Sequence, residues 1–92
     1  GSVRIHQAEF EHPTQASRAR LNVYELRPED GPDVAGMRPP RAGFLVTEDR
    51  VGTVTVVATL GFFPAREEAM AAADARAREL LAQSYRLLSP AA

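Results

Sequence analysis

The sequence predicts an α+β fold, an antiparallel β-sheet of about four or five strands packed on one face by a single long C-terminal amphipathic helix. Over residues 53–62, Val54, Val56, Ala58 and Leu60 alternate with Thr53, Thr55, Val57 and Thr59, the period of a strand. After Phe63 the period lengthens to nearly four, the signature of a helix with one apolar stripe. Between residues 43–47 and 53–62 a short link, Glu48-Asp49-Arg50-Val51-Gly52, reads as the turn of a hairpin. With 92 residues there is room for one core, and 45% apolar with 25% charged residues is a globular composition.

The elements follow in order. Gly1-Ser2 reads as a remnant of tag removal and is set apart from the fold, a single domain expected over residues 3–88. Residues 3–10 form a first strand on the imperfect alternation of Val3, Ile5 and Gln7 with Arg4, His6 and Ala8. A turn-rich connection with Pro13, Thr14 and Ser17 leads to a second strand over 18–27, with Leu21 and Val23 on one face and Tyr24 and Leu26 on the other. Four prolines and two glycines make residues 28–41 a long loop, because proline removes ladder donors. The fourth strand should turn Val54, Val56, Ala58 and Leu60 to the core.

Pro64 suits the first turn of a helix over residues 64–83, and Glu67 and Glu68 sit where the helix dipole favours negative charge. Its stripe is Ala69, Met70, Ala73, Ala77, Leu80, Leu81 and Ser84, while Arg66, Asp74, Arg78 and Gln83 lie away from it. The predicted core joins Val54, Val56 and Leu60 to Met70, Ala73, Ala77, Leu80 and Leu81. Residues 85–88 add a short closing strand, and 89–92 form a tail.

Several function classes drop out. The longest apolar run, residues 54–63, is too short to cross a bilayer, and the chain is expected to be cytoplasmic. The absence of cysteine removes disulfides, thiolate metal sites and cysteine nucleophiles. A net charge of −1 gives no general attraction to a polyanion. All eleven basic residues are arginine, a bias that fits a GC-rich genome.

No constellation for catalysis stands out, and no cofactor is expected. His6 falls on a strand and His12 precedes a proline in a turn. Glu29, Asp30 and Asp33 crowd the long loop, where a calcium ion would find oxygens, but their spacing fits no calcium loop and a solvated acidic segment is the simpler reading. The glycines show no phosphate-loop spacing. The aromatics fall at element ends rather than interleaving with arginines as a nucleic-acid stacking platform does.

The order of elements, together with Asn22-Val23-Tyr24-Glu25-Leu26, Glu48-Asp49-Arg50-Val51-Gly52-Thr53-Val54, Phe63-Pro64, Glu67-Glu68-Ala69 and Tyr85, resembles the WGR domain of poly(ADP-ribose) polymerases and stand-alone bacterial proteins. The resemblance spans nearly the whole chain. It implies a turn that contacts a DNA end through tryptophan, with arginine bridging to DNA or to a neighbouring domain. Here Glu48 stands in place of the tryptophan and Asp49 in place of the glycine, so only Arg50 carries over. Two carboxylates beside it repel phosphate.

The leading expectation is therefore a non-catalytic binding module, within a larger bacterial protein, that meets a protein partner or another domain of its own chain. It would use an exposed sheet edge, the 28–41 loop or residues 48–50. The alternative is DNA-end binding by Arg18, Arg20, Arg38, Arg41 and Arg50 gathered on one face, with Glu48 and Asp49 beside them. A third reading is a purely structural domain, including a homodimer through a sheet edge.

Overall fold

A computed structural model describes residues 1–32, 36, 37, 39 and 41–89 of the chain. Five strands form one antiparallel sheet: β1 (Ser2–Glu11), β2 (Arg18–Leu26), β3 (Gly43–Val51), β4 (Thr55–Phe63) and β5 (Arg86–Ser89), in the spatial order β4-β3-β2-β1-β5. One helix, α1 (Arg66–Ala82), crosses one face. The expected fold class is the observed one.

The helix settles on the strip of small and aliphatic side chains that alternation turns to one side of the sheet. Its first half packs Ala69 and Ala73 against Val23 and Val46, with Phe44, Phe63 and Met70 around them. Its second half packs Leu80 against Phe10, Ala19, Leu21 and Tyr85. The helix thus runs obliquely, from the Phe44–Phe63 end of β3 and β4 towards β1. Alanines at the contact allow this close approach, and the helix pays nothing for them because alanine is the best helix former.

That oblique path overturns part of the predicted core. Val54, Val56, Leu60 and Leu81 are 70, 57, 38 and 50% exposed, and Ala58 is exposed as well. β4 is the outermost strand, and the helix leaves its turn-proximal half bare. Leu81 fails for a different reason: it lies about 100° around the helix from buried Leu80, beyond the contact line. Met70 and Ala77 are half-buried, and Ala73 and Leu80 buried, as expected.

Other boundaries shift for local reasons. Ile5 is the extra residue of a bulge, since Arg4 pairs with Tyr24 and His6 with Val23. The bulge resets the alternation and turns Ala8 and Phe10, not Val3 and Gln7, to the core. Ser2 pairs with Leu26 as the first residue of β1, and the Gly1 nitrogen donates to the carbonyls of Arg27 and Gly31, so neither residue is set apart from the fold. Within the long loop, Pro28–Asp30 form one 3₁₀ turn. Ser89 ends β5 rather than opening a tail, and residues 90–92 of that tail lie outside the described residues.

Candidate interaction surface

Of the expected turn at residues 48–52, Glu48 to Val51 are strand. β3 continues to Val51, paired with Thr55, and the reversal is made at residues 52–54, where Gly52 donates its N–H to the Val54 carbonyl. Glu48, Asp49 and Arg50 therefore point alternately to the two faces of the sheet instead of clustering at a tip.

On the helix side Glu48 is 3% exposed and held by two arginines. Arg50 Nε donates to its Oε2 at 2.6 Å; Arg76, from α1, donates through Nε to Oε1 at 2.5 Å and through Nη2 to Oε2 at 3.2 Å. Burial would raise the carboxyl pKa, but the hydrogen bonds and charge of Arg76 and Arg50 outweigh it and hold it below its ordinary value. The network extends outward: Arg76 also donates to Glu79, and Arg50 Nη1 donates to the Tyr85 hydroxyl at 2.8 Å. That hydroxyl lies 2.9 Å from Ser17 Oγ.

On the opposite face the polar groups close on one another. Asp49 Oδ2 accepts from Arg20 Nε at 2.9 Å and from Asn22 Nδ2 at 3.2 Å. Asn22 also donates to Thr47 Oγ1 and accepts from Gln7 Nε2. Among the described residues no buried side-chain nitrogen or oxygen lacks a partner. The two carboxylates that looked like phosphate-repelling groups are internal counterions for Arg50, Arg76 and Arg20.

The candidate arginines do not converge. Arg18 and Arg20 occupy the helix-free face near the β3–β4 turn, whereas Arg50 lies on the helix face. Arg41 sits at the far end, its guanidinium 4.3 Å from the centre of the Phe62 ring. A Cβ on Gly43 would collide with that same ring. Arg38 lies outside the described residues. Asp33 does too, while Asp30 forms an ion pair with Arg27 at 3.7 Å. Among the described residues no three acidic or histidine side chains are grouped for a metal ion.

A cleft of about 390 Å³ opens at the turn end between the β1–β2 and β3–β4 connections, with Glu11, His12, Ser17, Arg18 and Thr53 in its lining. His12 Nδ1 accepts backbone N–H groups from Thr14 and Gln15 at 3.2 Å, which leaves the ring proton on Nε2. The ring stands edge-on to Tyr85. Ser17 bonds to Tyr85 rather than to a base, and Glu11 is engaged by Arg86 at 2.7 Å. The groups here orient the turn; they form no nucleophile–base pair.

The open surface is β4. It ends the sheet, and among the described residues nothing pairs with its outer edge. Thr55 through Leu60 are exposed without interruption, Val57 at 62%. There is no charged residue from Val51 to Ala65 and no proline before Pro64. Such a strand presents free backbone donors and acceptors flanked by aliphatic side chains. The signal was present in the sequence as an uncharged, β-branched stretch, but alternation alone assigned half of it to the core.

No family model, curated protein or solved structure matches the chain.

Proposed function

We propose that this domain is a non-catalytic protein-interaction module that takes up a partner strand along the outer edge of β4. The observation that carries the reading is a nine-residue, uncharged edge strand whose Val56 and Val57 are both more than half exposed. In strand addition the backbone hydrogen bonds supply affinity, and side chains at alternate positions supply selectivity. Natural edges that should stay unpaired are usually shortened or carry lysine, proline or an inward charge, and β4 has none of these over its first six residues.

DNA-end binding draws little support from the same surface. The guanidinium groups of Arg20, Arg50 and Arg76 are each bonded to a carboxylate, and Arg41 lies a full strand length from Arg18. Phosphate affinity depends on neutralising several charges at once, which dispersed and already paired arginines do poorly.

The test is titration of the isotopically labelled domain, at about 10 μM, with a peptide of residues 54–60 carrying solubilising ends. Amide shifts confined to β4 and its β3 neighbours are expected. Shifts centred on the Glu11–Arg18 cleft, or none at millimolar peptide, would overturn the proposal.

A further inference from the structure

We infer that two copies of this chain pair antiparallel through β4 about a twofold axis at Val57, joining their sheets into one of ten strands. The inference rests on the reading of β4 as an open edge and names its occupant. A closed dimer requires a surface that complements itself, residue i meeting j while j meets i. The sequence from Val54 to Leu60, Val-Thr-Val-Val-Ala-Thr-Leu, has that property. With the axis at Val57, Val54 stands opposite Leu60, Thr55 opposite Thr59, Val56 opposite Ala58, and Val57 opposite its own copy. Every pair is aliphatic with aliphatic or threonine with threonine, so no hydroxyl faces an aliphatic side chain across the axis, and the threonine pairs are ones that stabilise sheets.

Other registers lose this match. Moving the axis to Val56 sets Thr55 against Val57; moving it to Ala58 sets Val57 against Thr59 and Thr55 against Gly61. An axis between Val56 and Val57 faces Thr55 with Ala58 and Val54 with Thr59, and it would put the two helices on opposite faces. The axis at Val57 stands perpendicular to the sheet, so both copies present their helices on the same side. Leu60 is the extra residue of a bulge, because Val46 pairs with Gly61 and Thr47 with Thr59, and Val54 lies in the β3–β4 turn, so the regular part of the proposed ladder runs from Thr55 to Thr59.

Charge and size set the expected strength. Between Arg50 and Arg66 the chain carries no ionisable side chain, so the two copies meet without like-charge repulsion. A ladder this short buries less than the ~1,200 Å² at which standard specific interfaces begin, which fits a weak dimer.

Analytical ultracentrifugation of the whole domain from about 1 μM to 1 mM should show a monomer–dimer equilibrium within that range. Val57→Lys, which brings two ammonium groups together at the axis, should weaken it at least tenfold, with an unchanged circular dichroism spectrum showing that the fold survives. The register is tested by two double variants. Thr55→Lys with Thr59→Glu sets opposite charges across the axis and should retain the dimer; Thr55→Lys with Thr59→Lys should abolish it. A chain that stays monomeric at 1 mM, a dimer indifferent to Val57→Lys, or equal dimerisation by the two double variants would each overturn the inference. A monomeric chain that still binds the 54–60 peptide would leave the open-edge reading standing; a chain that does neither would remove both.

Discussion

The two edges of the sheet differ in how they are finished. On one side β5 is four residues long and pairs with only Glu9, Phe10 and Glu11 of β1. Arg86 at its start is tied to Glu11, and Tyr85 just before it is buried against Phe10 and Leu80. The part of β1 beyond β5 carries Arg4 and His6. On the other side β4 runs for nine residues with neither charge nor proline. One edge is short and carries charges, the other is a nine-residue strand without them, and that contrast is what assigns the proposed strand addition to β4.

The sharpest way to break the contrast is to remove what holds the β5 edge. Leu80→Ala deletes a fully buried side chain between α1, β1 and Tyr85. A loss of about 3 kcal/mol is expected in urea unfolding. Hydrogen exchange should show β5 losing protection before β4, since the Leu80 cluster contains the Tyr85 anchor while the Val46 cluster lies behind β4.

Glu48 comes next. Glu48→Gln retains the shape but removes the charge that two arginines face, and should cost roughly 1–3 kcal/mol at pH 7. Because the folded pKa of Glu48 lies below its unfolded value, its contribution is fully present above the ordinary glutamate pKa near 4.5 and is lost as the pH falls through the lower folded value. The wild-type melting temperature should therefore fall more steeply than that of Glu48→Gln on acidification below about pH 4.5. Parallel curves would show that the Arg50–Glu48–Arg76 cluster adds nothing to stability.

Val57→Lys should act on the edge alone. With its side chain mostly in solvent, the change should leave unfolding free energy within about 0.5 kcal/mol, while abolishing the amide shifts caused by the 54–60 peptide. A large stability loss would mean that β4 is supported on its outer side within the monomer.

The smallest expected effect concerns DNA. A 5′-phosphorylated duplex titrated with the domain at about 50 mM salt should show no binding in the micromolar range. Binding that tightens at low salt and vanishes in Arg50→Glu would move the functional surface from the β4 edge to the arginines.

Much of the fold was legible because it is locally encoded. Leu21 and Val23 fell on the buried face of β2 as their spacing indicated, and Ala73 and Leu80 fell on the helix contact line. Where a local irregularity intervened, the reading slipped: one extra residue at Ile5 exchanged the faces of β1, and an acidic stretch that resembled a turn was strand through Val51. The candidate surface was less legible. Glu48 and Asp49 look like exposed acids until Arg76, 28 positions away, and Arg20, 29 away, are brought beside them.

By itself the sequence determined the α+β class, the approximate position of each strand and the helix, and the quasi-palindromic run about Val57, because periodicity and residue order are properties of neighbouring residues. Only the tertiary structure decided that β4 lies outermost, that α1 crosses the sheet obliquely and leaves Val56 and Leu60 uncovered, and that Glu48 is a buried counterion. Those outcomes depend on which distant elements come to lie side by side, and an apolar alternation records only that a face could be buried, while the placement of the helix determines whether it is.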